Sequence, residues 1–360
     1  MKQTLQKRNS GLDFFRTLAI FLVLLSHVRH LFTYLHFKNF NIWYLSIGGF
    51  LGVELFFVLS GFLIGDQIYK YIINSKNKYH NLRIFYIRRW YRTLPLYYLF
   101  LLIYFFFHIL FFNQLYIPYL HLFFLQNFDS EAIKFFAVSW SLSVEEWFYL
   151  IIPFLILVYF ILTQKKLLPL LIVFFLIGVI KAYIVYIHPD LTWTDIRKNI
   201  FLRFDSLIVG VFFAYLKNYK PDFFSLFAKK NIFFIAILFL ILLSVWYWYK
   251  LQPGLDKDFF SKAFMFQITS IVLSSIMIYL YFNFKSNSKI WYYGAIYSYS
   301  IYLMHFLFLL PFIKLAHYYH SVLLSFLILF VFLIILIVLA RFIYNYIESP
   351  VLKKRPQYLI

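Results

Sequence analysis

Residues 12–32 read LDFFRTLAIFLVLLSHVRHLF. The run is long enough to cross the hydrocarbon core, which takes about 20 helical residues. Runs of the same kind recur at roughly 47–67, 93–112, 139–162, 167–187, 201–217, 231–249, 263–283, 291–313 and 322–345. The expected fold is therefore all-α, with about ten transmembrane helices. Composition points the same way. Of 360 residues, 63% are apolar and 13% are charged, with a mean hydropathy of +0.78. A soluble fold needs far more polar surface. The run follows a basic N-terminus, MKQTLQKR. It is long and lacks a small-residue cleavage site, so it is expected to remain as the first helix. No long soluble segment or repeat interrupts the series, and a single transmembrane domain over 1–360, with no fused soluble domain, is expected.

The formal net charge is +20. The basic residues cluster in alternate loops: Lys2, Lys7 and Arg8; Lys70 to Arg92; Lys165 and Lys166; Lys217 to Lys230; Lys285 and Lys289; Lys353 to Arg355. The other loops are poorer, with Arg29, Lys38, Lys134, Arg197, Lys198, Lys250, Lys257 and Lys262. This is the positive-inside pattern, which places both termini in the cytoplasm and argues against a nucleic-acid partner. The chain has no cysteine, which excludes disulfides, thiolate nucleophiles and Cys-ligated metals. No metal site is expected. Segment 113–138, with Pro118, His121, Gln126 and Asn127, is too polar for a clean span. It is expected to be an external or partly re-entrant loop. Gly48 and Gly52, then Gly61 and Gly65, have the G-x-x-x-G spacing that lets helix backbones approach closely.

An ionisable group inside a span costs about 2.5–3.5 kcal/mol or more, so each one asks for a reason. Arg16 and His27 lie eleven residues apart, a net rotation of about 20°, on one helix face and roughly 16 Å apart along the axis. Counting helical rise from the expected boundaries puts His27, Glu54, Glu145 and His305 at a similar depth towards the outer side. Arg16, Arg89 and Arg92 fall at or near the inner edge. The chain is thus expected to build two layers: a cationic one for an anionic donor and an acid–base one for chemistry. The positive-inside rule alone also accounts for Arg88, Arg89 and Arg92. In SWSLSVEEWFY (139–149), Ser141 and Glu145 share a face, while Glu146 points about 100° away. Ser298, Tyr302 and His305 form one stripe. Arg203 and Asp205 are expected as a local ion pair at the outer interface, and Glu348 as the partner of a nearby Lys or Arg.

Six segments carry a resemblance: LDFFRTLAIFLVLLSH (12–27), GVELFFVLSGFLI (52–64), RRWYRTLPLYY (88–98), SWSLSVEEWFYLIIP (139–153), SYSIYLMH (298–305) and IESP (347–350). In this order they resemble the acyltransferase-3 family of membrane acyltransferases. The resemblance implies a ten-helix domain with an acyl-CoA donor, usually acetyl-CoA, presented from the cytoplasm. It implies O-acetylation of a sugar hydroxyl on a cell-envelope polysaccharide or glycolipid. The family's R-x10-H motif falls on Arg16 and His27, R-x-x-R on Arg89 and Arg92, and S-x-x-x-E on Ser141 and Glu145. Arg16, Arg89 and Arg92 would then hold acyl-CoA, and His27 would act as general base with Glu145 assisting. Ser141, Glu146, Glu54, Ser298, Tyr302 and His305 would support the acceptor side. Phe14, Glu54 and Trp147 depart from the family's usual Gly, Asp and Gln. The implied location is the bacterial cytoplasmic membrane, with no bound cofactor. An acylated-residue relay is an alternative route, and a transporter or flippase for a glycan or lipid-linked precursor is the rival class, using the same buried charges as a path.

Overall fold

The computed structural model describes residues 8–33, 42–113, 115–164, 168–251 and 254–359. Lys2, Lys7, Lys38, Lys165 and Lys166, which enter the expected charge asymmetry, lie outside the described residues. Ten long helices carry the fold. They are α1 (Ser10–Val28), α2 (Ser46–Gln67), α3 (Lys78–Phe112), α4 (Trp140–Thr163) and α5 (Leu168–Ile187). Then follow α6 (Phe204–Tyr219), α7 (Lys230–Tyr249), α8 (Met265–Asn283), α9 (Lys289–Tyr319) and α10 (Val322–Ile343).

Among the described residues, nine helical stretches are long and apolar enough to cross a membrane. The exception is α6, expected as the span 201–217. Its 16 residues reach only about 24 Å, short of a hydrocarbon core of about 30 Å. Most of α6 is buried, against α2, α5 and α8, so its length is set by protein neighbours rather than by lipid. The outer helices show the reverse. Leu110, Phe175, Phe234 and Leu323 stand largely exposed, as side chains facing hydrocarbon must.

The central helix is α2, with 72% of its apolar window buried against 17% for α7. Its glycines explain the position. A Cβ at Gly48 would lie 2.5 Å from the Leu22 carbonyl oxygen, and one at Gly52 2.7 Å from that of Ala19, both on α1. Gly61 and Gly65 meet Leu207, Val211 and Ala214 on α6 in the same way, and Gly210 of α6 returns the contact at Val58. One face of α2 is thus closed against α1 and another against α6, the packing role that small residues serve between membrane helices.

After α3 the chain turns back into the bundle. Tyr97 donates a hydrogen bond to the His121 carbonyl at 3.0 Å and Tyr98 to that of Leu122 at 2.9 Å. Both tyrosines precede the end of α3 by about 15 residues, so the chain has returned roughly 20 Å. Gln126 is fully buried and donates to the Ser139 carbonyl and hydroxyl at 3.1 and 3.0 Å. Segment 113–138 is therefore re-entrant in part, and α4 begins inside the bundle instead of at its surface.

A buried charge cluster ties α2, α5 and α6 together. Arg203 donates to Glu54 at 2.6 Å and lies 3.5 Å from Asp205. Lys181 pairs with the other oxygen of Asp205, and the Ser206 hydroxyl donates to Glu54 at 2.7 Å. The Arg203 guanidinium also sits 4.1 Å above the Phe266 ring. These groups are at most 1% exposed. Two expectations change here. Arg203 and Asp205 belong to an interior network, not to an interfacial pair, and Glu54 is consumed by that network. Charges withdrawn this far from water must pair and hydrogen-bond. Glu348 also differs from expectation: it is buried and accepts from the Ser300 hydroxyl at 3.1 Å, with no ion pair among the described residues.

Candidate active site

Two cavities meet back to back in the bundle. The first encloses about 420 Å³ between α1, α2, α3, α4 and α9. Six cationic side chains line it, from Arg16, Lys70, Arg88, Arg89, Arg92 and Arg355, against the carboxylates of Asp66 and Glu145. Neither acid neutralises them. Asp66 pairs with Lys217 at 3.0 Å. Glu145 accepts from the Ser60 hydroxyl and the Tyr149 hydroxyl, both at 2.9 Å. None of the six cations makes an ion pair among the described residues. Buried Nε atoms of Arg88 and Arg89 lack any hydrogen-bond partner.

The C-terminal stretch closes part of this cavity. Arg88 donates to the Pro356 carbonyl at 2.5 Å, and Tyr358 stacks on Tyr71 with ring centroids 4.4 Å apart. Burial, together with the charges of Arg92, Arg88 and Arg89, pushes the Arg355 guanidinium down to about 10. Burial is the larger cause, and the neighbouring guanidiniums add to it. Phosphate oxygens answer such a set of guanidinium forks through charge-assisted hydrogen bonds.

The second cavity encloses about 530 Å³ at the other end of α1. His27 lines it, with Nδ1 2.8 Å from the Val23 carbonyl oxygen. A carbonyl only accepts, so Nδ1 carries the proton and Nε2 keeps its lone pair. His305 stands beside it, ring centroids 4.9 Å apart and edge to face. Its Nδ1 is held the same way by the carbonyls of Tyr302 and Ile301 at 2.8 and 3.1 Å. Arg29, His30, Trp43, Trp140, Trp193 and Arg197 complete the polar and aromatic lining.

Val53 and Tyr302 line both cavities. The Tyr302 hydroxyl donates to the Val138 carbonyl at 3.0 Å and lies 2.6 Å from the Ser141 hydroxyl. With its one proton committed to Val138, Tyr302 accepts from Ser141. The two spaces thus share Val53 and Tyr302 as wall residues, and hydrogen bonds hold the Tyr302 ring in place.

The residues read from the sequence therefore fall into three groups. Arg16, Arg89 and Arg92 converge in the first cavity, joined by Ser141, Ser298 and Glu145. Ser298 turns its hydroxyl back to the Ala295 carbonyl at 3.0 Å. His27 lines the second, with the His305 ring against it and outside the lining. Glu54 belongs to the ion network, and Glu146 lines neither cavity, being buried with Oε1 unpartnered. The expected acid–base layer of His27, Glu54, Glu145 and His305 is thus divided, and Glu145 does not touch His27. The cause is the depth at which α4 starts, which carries Glu145 to the level of Ser60. Sequence reading missed Ser60 and Tyr149 as partners of Glu145, counted Arg29 and Arg197 only as loop charges, and passed over Lys181. Lys181 had a signal: one lysine inside an otherwise apolar run.

Comparison with known proteins accords with this architecture. The family model described as an acyltransferase domain (Acyl_transf_3) matches residues 9–344. The peptidoglycan O-acetyltransferase OatA of Listeria monocytogenes is 29% identical over 204 residues, which is 49% of this chain and 29% of that protein. A putative peptidoglycan O-acetyltransferase, YrhL of Bacillus subtilis, is 33% identical over 168 residues, covering 41% of this chain and 24% of its own length. The chain thus spans well under half the length of these curated relatives. No solved structure matches.

Proposed function

The chain belongs to the acyltransferase-3 family, and from that premise we propose that it transfers an acetyl group from acetyl-CoA to a hydroxyl of a cell-envelope glycan. One observation carries the reading: a cavity lined by arginines that make no ion pair among the described residues and a histidine-lined cavity share Val53 and Tyr302 as wall residues. Arg16, Arg89 and Arg92 hold the phosphates of the donor on the cytoplasmic side. The thioester arm passes the wall at Val53 and Tyr302 to reach His27. The relatives named as peptidoglycan O-acetyltransferases support a glycan acceptor.

In the transfer, Nε2 of His27 takes the proton of the acceptor hydroxyl as its oxygen attacks the thioester carbonyl carbon. The C–S bond breaks, and the proton returns from His27 to the CoA thiolate. The Nδ1–Val23 hydrogen bond fixes the tautomer that this step requires. Glu145, held by Ser60 and Tyr149, acts on the donor side and not on the imidazole.

The test uses the full chain in membranes with acetyl-CoA and isolated glycan, measuring glycan-bound acetate and released CoA together. His27→Ala is expected to lower both by about 10²–10⁴-fold, the usual contribution of a general base. Unchanged acetate and CoA in that variant would remove the reading. Glycan movement without thioester consumption would transfer the protein to the transporter class.

A further inference from the structure

We propose that the second cavity selects an acidic acceptor: a sugar whose carboxylate or phosphate is held by Arg29 and Arg197 while its hydroxyl faces His27. The proposal rests on the acetyl-transfer reading for its orientation, but the anion site itself does not depend on it.

Elsewhere in the outer part of the bundle this fold pairs its fully buried cations with carboxylates. Arg203 and Lys181 each have a carboxylate within reach. Arg29 and Arg197 have none. Among the described residues the cavity lining contains no Asp or Glu, and neither arginine makes an ion pair. Two guanidiniums share one partly enclosed space that no carboxylate lines among the described residues, and Glu54, beyond the lining, is paired with Arg203. That arrangement is costly unless a ligand supplies the anion.

Both arginines are also pre-positioned. One arm of Arg29 is tied back to Ser26, reaching its hydroxyl at 3.0 Å, while its Nε stays buried and unpartnered. Arg197 donates to the Gly49 carbonyl at 2.7 Å. Each leaves further N–H donors for a ligand, in the fork geometry that suits carboxylate and phosphate oxygens. Aromatic faces fix the planes: Arg29 lies 4.9 Å from the Trp43 ring, and Arg197 5.1 and 5.4 Å from Trp140 and Trp193. The same indoles offer apolar area for a sugar ring.

The experiment measures equilibrium binding to the purified full chain in lipid nanodiscs without donor, so it does not depend on catalysis. The probes are N-acetylglucosamine–N-acetylmuramic acid against its lactyl methyl ester, and N-acetylglucosamine 1-phosphate against N-acetylglucosamine. The acidic member of at least one pair is expected to bind roughly tenfold tighter or more, from charge-assisted hydrogen bonds. Which pair responds tells carboxylate from phosphate. Arg29→Gln with Arg197→Gln is expected to bring the ratio within about twofold, and Arg197→Lys to restore part of it. Arg16→Gln with Arg92→Gln, in the other cavity, is expected to leave it unchanged. Equal binding within both pairs overturns the proposal, as does a preference that survives loss of Arg29 and Arg197 or disappears with Arg16 and Arg92. A parallel acetylation assay reports separately on transfer: acid-selective binding with no acetate on any probe would sink the function reading and leave the anion site standing.

Discussion

Tyr302, which lines both cavities, accepts a hydrogen bond of 2.6 Å from Ser141 of the first. The pair joins α9 to α4, so the wall is a tertiary contact and not a property of one helix. The ring at position 302 narrows the opening between the cavities; the hydroxyl holds the ring in place.

This separates two substitutions. Tyr302→Phe keeps the ring and loses about 1 kcal/mol of hydrogen bonding, with transfer largely retained. Tyr302→Ala removes the barrier and should admit water to the thioester. The ratio of CoA released to acetate on glycan is expected to stay near one for Phe and to rise severalfold for Ala. A ratio near one in both would mean that the wall does not lie on the donor's route.

The unpaired guanidiniums of the first cavity predict a binding defect. Arg89→Gln and Arg92→Gln should each raise the KM for acetyl-CoA by roughly tenfold or more, since hydrogen bonds to charged groups are worth about 1.5–3 kcal/mol. The effect on kcat should be much smaller, because the proposed role of these side chains is to hold phosphate and not the reacting carbonyl. Steady-state kinetics at fixed glycan separates the two. A fall in kcat with KM unchanged would reassign both arginines.

Much of this organisation was legible in the chain. The spans, the small-residue spacing of α2 and the convergence of Arg16, Arg89 and Arg92 follow from hydropathy and helical geometry. The position of Glu145 did not. Depth was counted from a boundary assumed to lie at the membrane surface, and the returning segment held by Tyr97 and Gln126 moves that boundary inward. Pairing across helices was equally hidden: nothing local links Glu54 to Arg203, 149 residues away.

That network is a stability element. Removing one partner strands a buried charge, typically at 3–5 kcal/mol. Lys181→Met and Glu54→Gln are each expected to lower the thermal unfolding midpoint of the protein in detergent, before any loss of donor affinity per folded molecule. Lys181→Met combined with Asp205→Asn should be less harmful than the sum of its parts. Strict additivity would mean that the two groups do not interact.

The glycine contacts of α2 give a steric test. Gly61→Ala would drive a methyl group into the Leu207 carbonyl of α6, and the yield of folded protein should fall sharply. Gly254→Ala is the control, because a Cβ there meets only the Lys250 side chain at 3.8 Å or more. Equal yields of the two variants by size-exclusion profile would show that α2 and α6 can separate without penalty.

The walls of the two cavities come from different kinds of structure. Long helices supply most of the first, whereas Trp43 and Arg197 reach the second from a short turn and a six-residue helix between spans. Connecting segments tolerate replacement far better than packed helices do. Under the proposed function, acceptor preference can therefore drift, or be engineered by exchanging these connectors, while the proposed donor cavity stays as it is.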